Sequence, residues 1–208
     1  MKEILCNSAY FGVTVSLIGY GAGIMLKKKF KYAFLNPLLI SIIFVIGVVM
    51  LCGVDYESYE NSAQYLSYLL TPATVCLAVP LYQQMTLLKK NLAAVACGIL
   101  AGVLASLGSV LLLAFLFGLE HDVYVTLLPK SITTAIGMGI SEELGGIVTI
   151  TVAAIIITGI IGNMFGDVIC RLCGIRHPIA TGLAIGTATH AMGTAKAMEI
   201  GEIEGAMS

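Results

Sequence analysis

Residues 177–198 read HPIATGLAIGTATHAMGTAKAM, and this stretch decides what kind of fold the chain can adopt. It is too hydrophobic for a water-exposed surface, yet it carries two histidines, one lysine, four threonines and four proline or glycine residues. Ionisable groups and broken backbone are tolerated at membrane depth where they face protein or a water-filled path. The stretch therefore predicts a broken membrane segment that lines the route of a solute.

The composition agrees with a bilayer as the solvent. Hydrophobic residues make up 58% of the 208 residues, charged residues only 11%, and the mean hydropathy is +0.97. A soluble domain has about a quarter of its residues charged, so a soluble fold is excluded. The net charge of −1 argues against nucleic acid as a partner. The six cysteines fall mostly in apolar runs, and we expect no disulfide framework, metal or cofactor.

About seven hydrophobic segments follow one another, which predicts an all-α, polytopic integral membrane protein. A spanning helix needs about 20 apolar residues, and four segments reach that length: 8–26, 34–53, 91–118 and 144–169. The other three, 65–88, 123–140 and 177–198, contain residues that break helices. These residues predict unwound, half-length or re-entrant helices, and they are Pro72, Pro80, Pro129, Pro178, Gly182, Gly186 and Gly193.

A short internal similarity suggests a repeat. ATVCLAVP at 73–80 resembles ATGLAIG at 180–186 if one residue is gapped, and each closely follows a proline. Breaker-interrupted segments in two halves of a chain are typical of transporters with a site near the bilayer midplane. We therefore expect a single transmembrane domain over 1–208 with repeat halves 8–118 and 123–208. Breaks at Pro72–Pro80 and Pro178–Gly186 should approach each other near the midplane.

Basic residues predict the orientation of the chain in the membrane. The lysines at 27–29 and 31 place the loop after the first helix in the cytoplasm. Lys89 and Lys90 return to the cytoplasm if segment 65–88 crosses the bilayer.

Lys130 is the candidate receptor for an anion. It follows Pro129 and precedes the hydroxyl residues Ser131, Thr133 and Thr134. An ammonium group next to hydroxyls at a helix start suits a small anion. The alternative is a lysine that extends to the membrane interface.

A second candidate group lies in residues 177–198. Thr187, His190 and Thr194 have the spacing i, i+3, i+7, which places them on one helix face. An imidazole can hydrogen-bond a carboxylate or carry a proton near neutral pH. The alternative for His190 is a structural role between helices.

Long motifs resemble the LrgB/CidB family of bacterial membrane proteins. They are PKSITT at 129–134, SEELGG at 141–146, GTATHAMGTA at 186–195, GEIEGA at 201–206, TPATV at 71–75 and AVPLY at 78–82. The resemblance covers nearly the whole chain and implies a multi-pass protein of the bacterial cytoplasmic membrane. Members are called antiholin-like and are linked to murein hydrolase activity and lysis; plastidial relatives carry glycolate and glycerate, and bacterial relatives are tied to pyruvate. Members also continue into a final helix that the second half here would lack.

Two functions follow from the residues and the resemblance. The first is a proton-coupled transporter of small monocarboxylates such as glycolate, glycerate, pyruvate or lactate. Its substrate-binding candidates are Lys130, Ser131, Thr133, Thr134, Thr187, His190, Thr194 and Thr74, and its proton-coupling candidates are Glu142, Glu143 and His190. The second is an antiholin-like regulator that acts through a small holin-like membrane partner, with the polar residues as contacts between helices. We expect a homo-oligomer in the lipid bilayer and no enzymatic activity.

Overall fold

The apolar runs fold into helices throughout the part of the chain that the computed structural model describes, residues 10–30 and 36–208. In chain order the helices are α1 (Phe11–Phe30), α2 (Pro37–Cys52), α3 (Tyr56–Ser67), α4 (Leu70–Gln83), α5 (Met85–Lys90), α6 (Leu92–Phe117), α7 (His121–Leu127), α8 (Thr134–Glu143), α9 (Val148–Leu172), α10 (Pro178–Ile200) and α11 (Glu202–Met207). The starts of the predicted segments 8–26 and 34–53, and Lys31, lie outside the described residues. The prediction of an all-α, polytopic membrane protein is confirmed.

Within the described ranges, three stretches are long and apolar enough to cross a bilayer: Tyr56–Gln83, Leu92–Phe117 and Val148–Leu172. The last two confirm the segments predicted at 91–118 and 144–169. The helix predicted at 8–26 begins at Phe11 and continues through three lysines to Phe30. Those lysines lower its hydropathy, and it is not among the three. α2 is apolar but has only 16 residues.

The first compact unit ends at Leu77 and is built on α1, α2 and α3. α1 and α2 approach at backbone distance, because a Cβ on Gly23 would lie 2.7 Å from the Pro37 backbone. Its buried core contains Phe11, Val15 and Val54.

The second compact unit begins at Ala78 and is centred on α10, which packs against α6, α9 and α11. One core cluster joins Val95 of α6 to Leu183 of α10 and Met207 of α11. Another joins Cys170 of α9 to Ile185 of α10. The faces of α10 that the core does not use are therefore the ones available for a site.

The segment predicted as broken at 65–88 is broken, but beside its prolines. A short turn separates α3 from α4, and Pro72 lies in the first turn of α4, where its missing N–H costs no helical bond. α4 continues through Pro80, and Gln84 separates it from α5. The breaks expected at Pro72 and Pro80 lie instead at the turn between α3 and α4 and at Gln84.

The segment predicted as broken at 123–140 consists of the short helices α7 and α8. They have 7 and 10 residues, about 11 and 15 Å at the usual helical rise. Neither reaches across a hydrocarbon core of about 30 Å. Pro129 and Lys130 lie in the turn between them.

The break in α10 lies further along the chain than the sequence predicts. Pro178 is the first residue of α10, and the helix continues through Gly182 and Gly186. The backbone leaves helical geometry at Thr189 (φ −139°, ψ 23°) and His190 (φ 44°, ψ −143°). The expected break at Pro178–Gly186 is therefore wrong in position.

Gly182 and Gly186 serve close packing instead of a break. A Cβ on Gly182 would overlap the backbone of Glu204, and one on Gly186 would overlap the backbone of Ser208. These two glycines allow α11 to lie against the first part of α10. The expected approach of this region to Pro72–Pro80 and the internal repeat stay predictions.

Candidate functional site

The side chain of Lys130 points toward α6 and donates a hydrogen bond to a serine on that helix. Its Nζ lies 3.4 Å from Ser106 Oγ and 3.3 Å from Ser131 Oγ. The two serine oxygens are 3.3 Å apart. No carboxylate forms an ion pair with Lys130 in the ranges 10–30 and 36–208. Two neutral hydroxyls leave the positive charge of the ammonium uncompensated, so the group can attract an anion.

A cavity of about 560 Å³ adjoins this lysine. α6, α9 and α10 form its walls together with the turn after α7. Its polar lining residues are Ser106, Ser109, Lys130, Ser131, Thr158, Thr187 and Thr189, and the rest of the lining is apolar or glycine. Lysine and hydroxyl groups in an otherwise apolar cavity can bind a small anion by charge and hydrogen bonds.

The turn that carries Lys130 is held by a buried network of hydroxyl groups. The side chains of Thr126, Ser141 and Thr151 are fully buried. Thr151 Oγ1 lies 2.6 Å from Ser141 Oγ and 2.9 Å from the carbonyl oxygen of Thr126. Thr126 Oγ1 accepts from the Ile147 N–H at 2.8 Å. The network ties α7 and α8 to α9 and so fixes the turn between them.

The broken part of α10 lies against glycines of α9. A Cβ on Gly162 would overlap the Thr189 side chain, and one on Gly159 would lie 3.1 Å from His190 Cε1. Asn163 Nδ2 donates to the carbonyl oxygen of Met192 at 2.7 Å. α9 therefore supplies both the room for the break and a donor for a backbone oxygen beyond it.

His190 is the most constrained of the predicted residues. It is the one non-glycine residue with positive φ among those described. Its Nδ1 is buried and has no hydrogen-bond partner in the described part of the chain. Orphaned buried polar atoms are rare in native proteins and call for an explanation such as a bound water or ligand.

The break separates three residues that the helical spacing had grouped. Thr187 lines the cavity, but His190 and Thr194 are not among its lining residues. Thr194 Oγ1 lies 3.2 Å from the His190 carbonyl oxygen and 3.0 Å from Ser208 Oγ. The expectation that Thr187, His190 and Thr194 share one helix face is therefore wrong, because the helical geometry on which it depended is lost at Thr189 and His190.

The other predicted residues lie apart from the cavity lining. Thr133, Glu142 and Glu143 are exposed, and Thr134 is partly buried. Thr74 belongs to the first unit, is exposed, and donates to the Leu70 carbonyl oxygen at 2.8 Å.

The sequence did not single out five polar residues of the cavity and the broken helix. Ser106, Ser109, Thr158 and Thr189 line the cavity, and Asn163 supports the broken helix. Their signal was present, because each is a polar residue inside an otherwise apolar membrane segment. Such residues usually face the interior of a helical bundle.

Comparison with known proteins finds one matching family and several bacterial relatives. The profile of the LrgB-like family matches residues 16–208. A Staphylococcus epidermidis protein named holin-like protein CidB is 40% identical over 208 residues, which cover all of this chain and 90% of that protein. The Staphylococcus aureus protein of the same name is 39% identical over 94% of this chain and 86% of its own. A Bacillus mycoides protein named antiholin-like protein LrgB is 40% identical over 96% of this chain and 87% of its own. No solved structure matches the chain significantly.

Proposed function

The chain belongs to the LrgB-like family of multi-pass bacterial membrane proteins, and from that premise we propose two activities for it. The names of its relatives favour the first activity, and its cavity favours the second. The first is holin-like or antiholin-like control of murein hydrolase activity and lysis, exerted through a small holin-like membrane partner. The names of relatives at about 40% identity support it. They point to a membrane role and away from an enzyme.

The second activity is the transport of small monocarboxylate anions, and it is the one that the geometry supports best. The observation that carries it is the Lys130 ammonium between two serine hydroxyls beside a cavity of about 560 Å³. A carboxylate at that place would gain a charge-assisted hydrogen bond, which is about twice as strong as a neutral one. An assembly of helices alone does not require an unpaired ammonium beside a cavity.

Uptake of radiolabelled pyruvate and glycolate into proteoliposomes tests the second activity. The purified chain should take up at least one of them, and the rate should rise when a proton gradient is imposed. Lys130→Ala should weaken apparent affinity about tenfold to a hundredfold, because it removes a hydrogen bond from a charged donor. Lys130→Arg should also impair uptake, because a planar guanidinium does not replace a compact ammonium.

Lys90→Ala is the matched control. Lys90 is exposed at the end of α5 and does not line the cavity. Normal uptake by both Lys130 variants would exclude the cavity as the anion site. Absence of uptake by the parent protein would exclude transport by this chain alone.

The regulatory activity has its own test. The rate at which cells that lack the protein lyse should change when the parent gene is supplied to them. If Lys130→Ala restores the same lysis as the parent gene, regulation does not depend on the cavity. If it fails to do so at equal abundance in the membrane, the two proposed activities use the same residue.

A further inference from the structure

Thr187 contacts α6 about one helical turn away from the point where Lys130 contacts it. A Cβ built on Gly102 would lie 2.8 Å from Thr187 Oγ1, and Lys130 Nζ lies 3.4 Å from Ser106 Oγ. Gly102 and Ser106 are four residues apart on α6, so they share a face and differ by about 6 Å along the helix axis. Both Lys130 and Thr187 line the same cavity. One small solute can therefore contact both side chains.

The hydroxyl proton of Thr187 is already used within α10. Thr187 Oγ1 lies 2.7 Å from the Leu183 carbonyl oxygen. A carbonyl oxygen only accepts, so the threonine hydroxyl is the donor in this bond. A hydroxyl group has one proton and two acceptor lone pairs. Thr187 therefore offers a bound solute an acceptor and no donor.

Two other hydroxyl groups of the cavity lining are committed in the same way. Thr189 donates to the Ile185 carbonyl oxygen and Ser109 to the Ser106 carbonyl oxygen, both at 2.8 Å.

The remaining polar side chains of the lining include the donors. The Lys130 ammonium carries three donors and no acceptor. Thr158 also lines the cavity, and its hydroxyl has no hydrogen-bond partner in the ranges 10–30 and 36–208, so it can donate or accept. The cavity thus presents a donor end at Lys130 and an acceptor end at Thr187.

These two ends distinguish solutes by the group on carbon 2. A carboxylate accepts a hydrogen bond from the Lys130 ammonium. A 2-hydroxyl group of the same solute can then donate to Thr187 Oγ1, whereas a 2-keto oxygen has no proton and would place two acceptors together. A site that hydrogen-bonds a hydroxyl group rejects the analogue that lacks it, because a buried polar group of the site is then left unpaired.

We propose that Thr187 accepts a hydrogen bond from the 2-hydroxyl group of a bound solute, and that it makes the cavity selective for 2-hydroxy monocarboxylates over 2-keto ones. This inference deepens the proposed transport function and rests on it for the role of Lys130 as the receptor of the carboxylate. Selectivity in binding can be measured without transport.

Binding of three acids with the same carbon skeleton tests the selectivity. Lactate, pyruvate and propionate carry a hydroxyl group, a keto group and no polar group on carbon 2. In isothermal titration calorimetry of the purified full chain, the better-bound enantiomer of lactate should bind about tenfold more tightly than propionate, as expected for one hydrogen bond. Pyruvate should bind no more tightly than propionate. Equal affinities for lactate and pyruvate would overturn the proposal.

Substitutions at Thr187 assign the selectivity to its hydroxyl group. Thr187→Val keeps the volume and removes the acceptor, so it should lower the affinity for lactate to that for propionate and leave propionate binding unchanged. Thr187→Ser keeps the acceptor and should keep the preference. Thr149→Val is the control, because Thr149 is exposed on α9 and does not line the cavity. If Thr158→Val abolishes the preference and Thr187→Val does not, the role belongs to Thr158 and the proposal is overturned.

Uptake of lactate and pyruvate into proteoliposomes separates this proposal from transport itself. If lactate binds with the expected preference but is not taken up, transport fails and the role of Thr187 stands. If both acids are taken up but bind equally well, transport stands and the role of Thr187 fails. If none of the three acids binds, both proposals fail.

Discussion

Replacing Thr151 by valine tests the network that holds the Lys130 turn. The substitution keeps the shape of the side chain and removes only the hydroxyl, so no cavity is created. That hydroxyl lies within hydrogen-bond distance of Ser141 Oγ and the Thr126 carbonyl oxygen, and all three side chains are fully buried. The variant therefore leaves two buried polar groups with a partner missing.

The expected cost follows from those two groups. A buried polar group left without its partner costs about 1–3 kcal/mol. Hydrogen bonds between membrane helices average about 0.6 kcal/mol and reach about 1.7 kcal/mol. We expect Thr151→Val to lower the free energy of unfolding by about 1–2 kcal/mol, a loss of about 2–8 °C in Tm for a chain of this length.

Thermal unfolding in detergent, followed by the loss of the monodisperse elution peak, measures this effect. Thr149→Val is the matched control, because Thr149 is on the same helix and exposed. Its Tm should stay within about 2 °C of the parent, as for most surface substitutions. A Tm for Thr151→Val equal to that of the control would refute the idea that this network stabilises the turn.

Three further outcomes concern the break in α10. His190→Gly should raise stability by about 1 kcal/mol, since a positive φ costs a non-glycine residue about 1–3 kcal/mol; Ala191→Gly, outside the strained position, should not. Unfolding in detergent compares the two, and a loss in both would contradict strain at His190. Gly162→Ala should destabilise by about 1–3 kcal/mol through overlap with Thr189, whereas Gly108→Ala should not. His190→Gln should flatten the pH dependence of uptake between roughly 5.5 and 7.5, and an unchanged profile would assign the proton step to another group.

Features that depend only on residues close together in the sequence could be predicted from the sequence alone. Long uncharged runs predicted α6 and α9 to within a few residues, because any helix in a bilayer must be apolar over its length. Pro129 with the adjacent hydroxyls predicted the broken segment around Lys130. Each of these signals lies in the segment that it describes.

The position of the break in α10 could not be predicted in this way. Thr189 and His190 are not helix breakers, whereas Gly182 and Gly186 near them are used for packing. The room for the break comes from Gly159 and Gly162 on another helix. A signal of this kind becomes visible only when the two helices are placed together.

Ser106 illustrates the same limit for the site. It lies 24 residues before Lys130 in the sequence, within a run of leucine, alanine and glycine that reads as an ordinary spanning helix. Its role depends on how α6 faces the turn after α7. No local pattern specifies that orientation.

The unequal lengths of two apolar helices make bilayer thickness a variable for this protein. α2 has 16 residues and α6 has 26, about 24 and 39 Å at the usual rise. Against a hydrocarbon layer of about 30 Å, α6 fits only if it tilts by about 40°, beyond the average tilt of about 20°, or if the lipid around it thickens. α2 is about 6 Å shorter than the same layer, so it can cross only where the lipid is thinner. Lipids with longer or shorter acyl chains should therefore change the energy of the two helices in opposite directions, with an optimum at intermediate chain length.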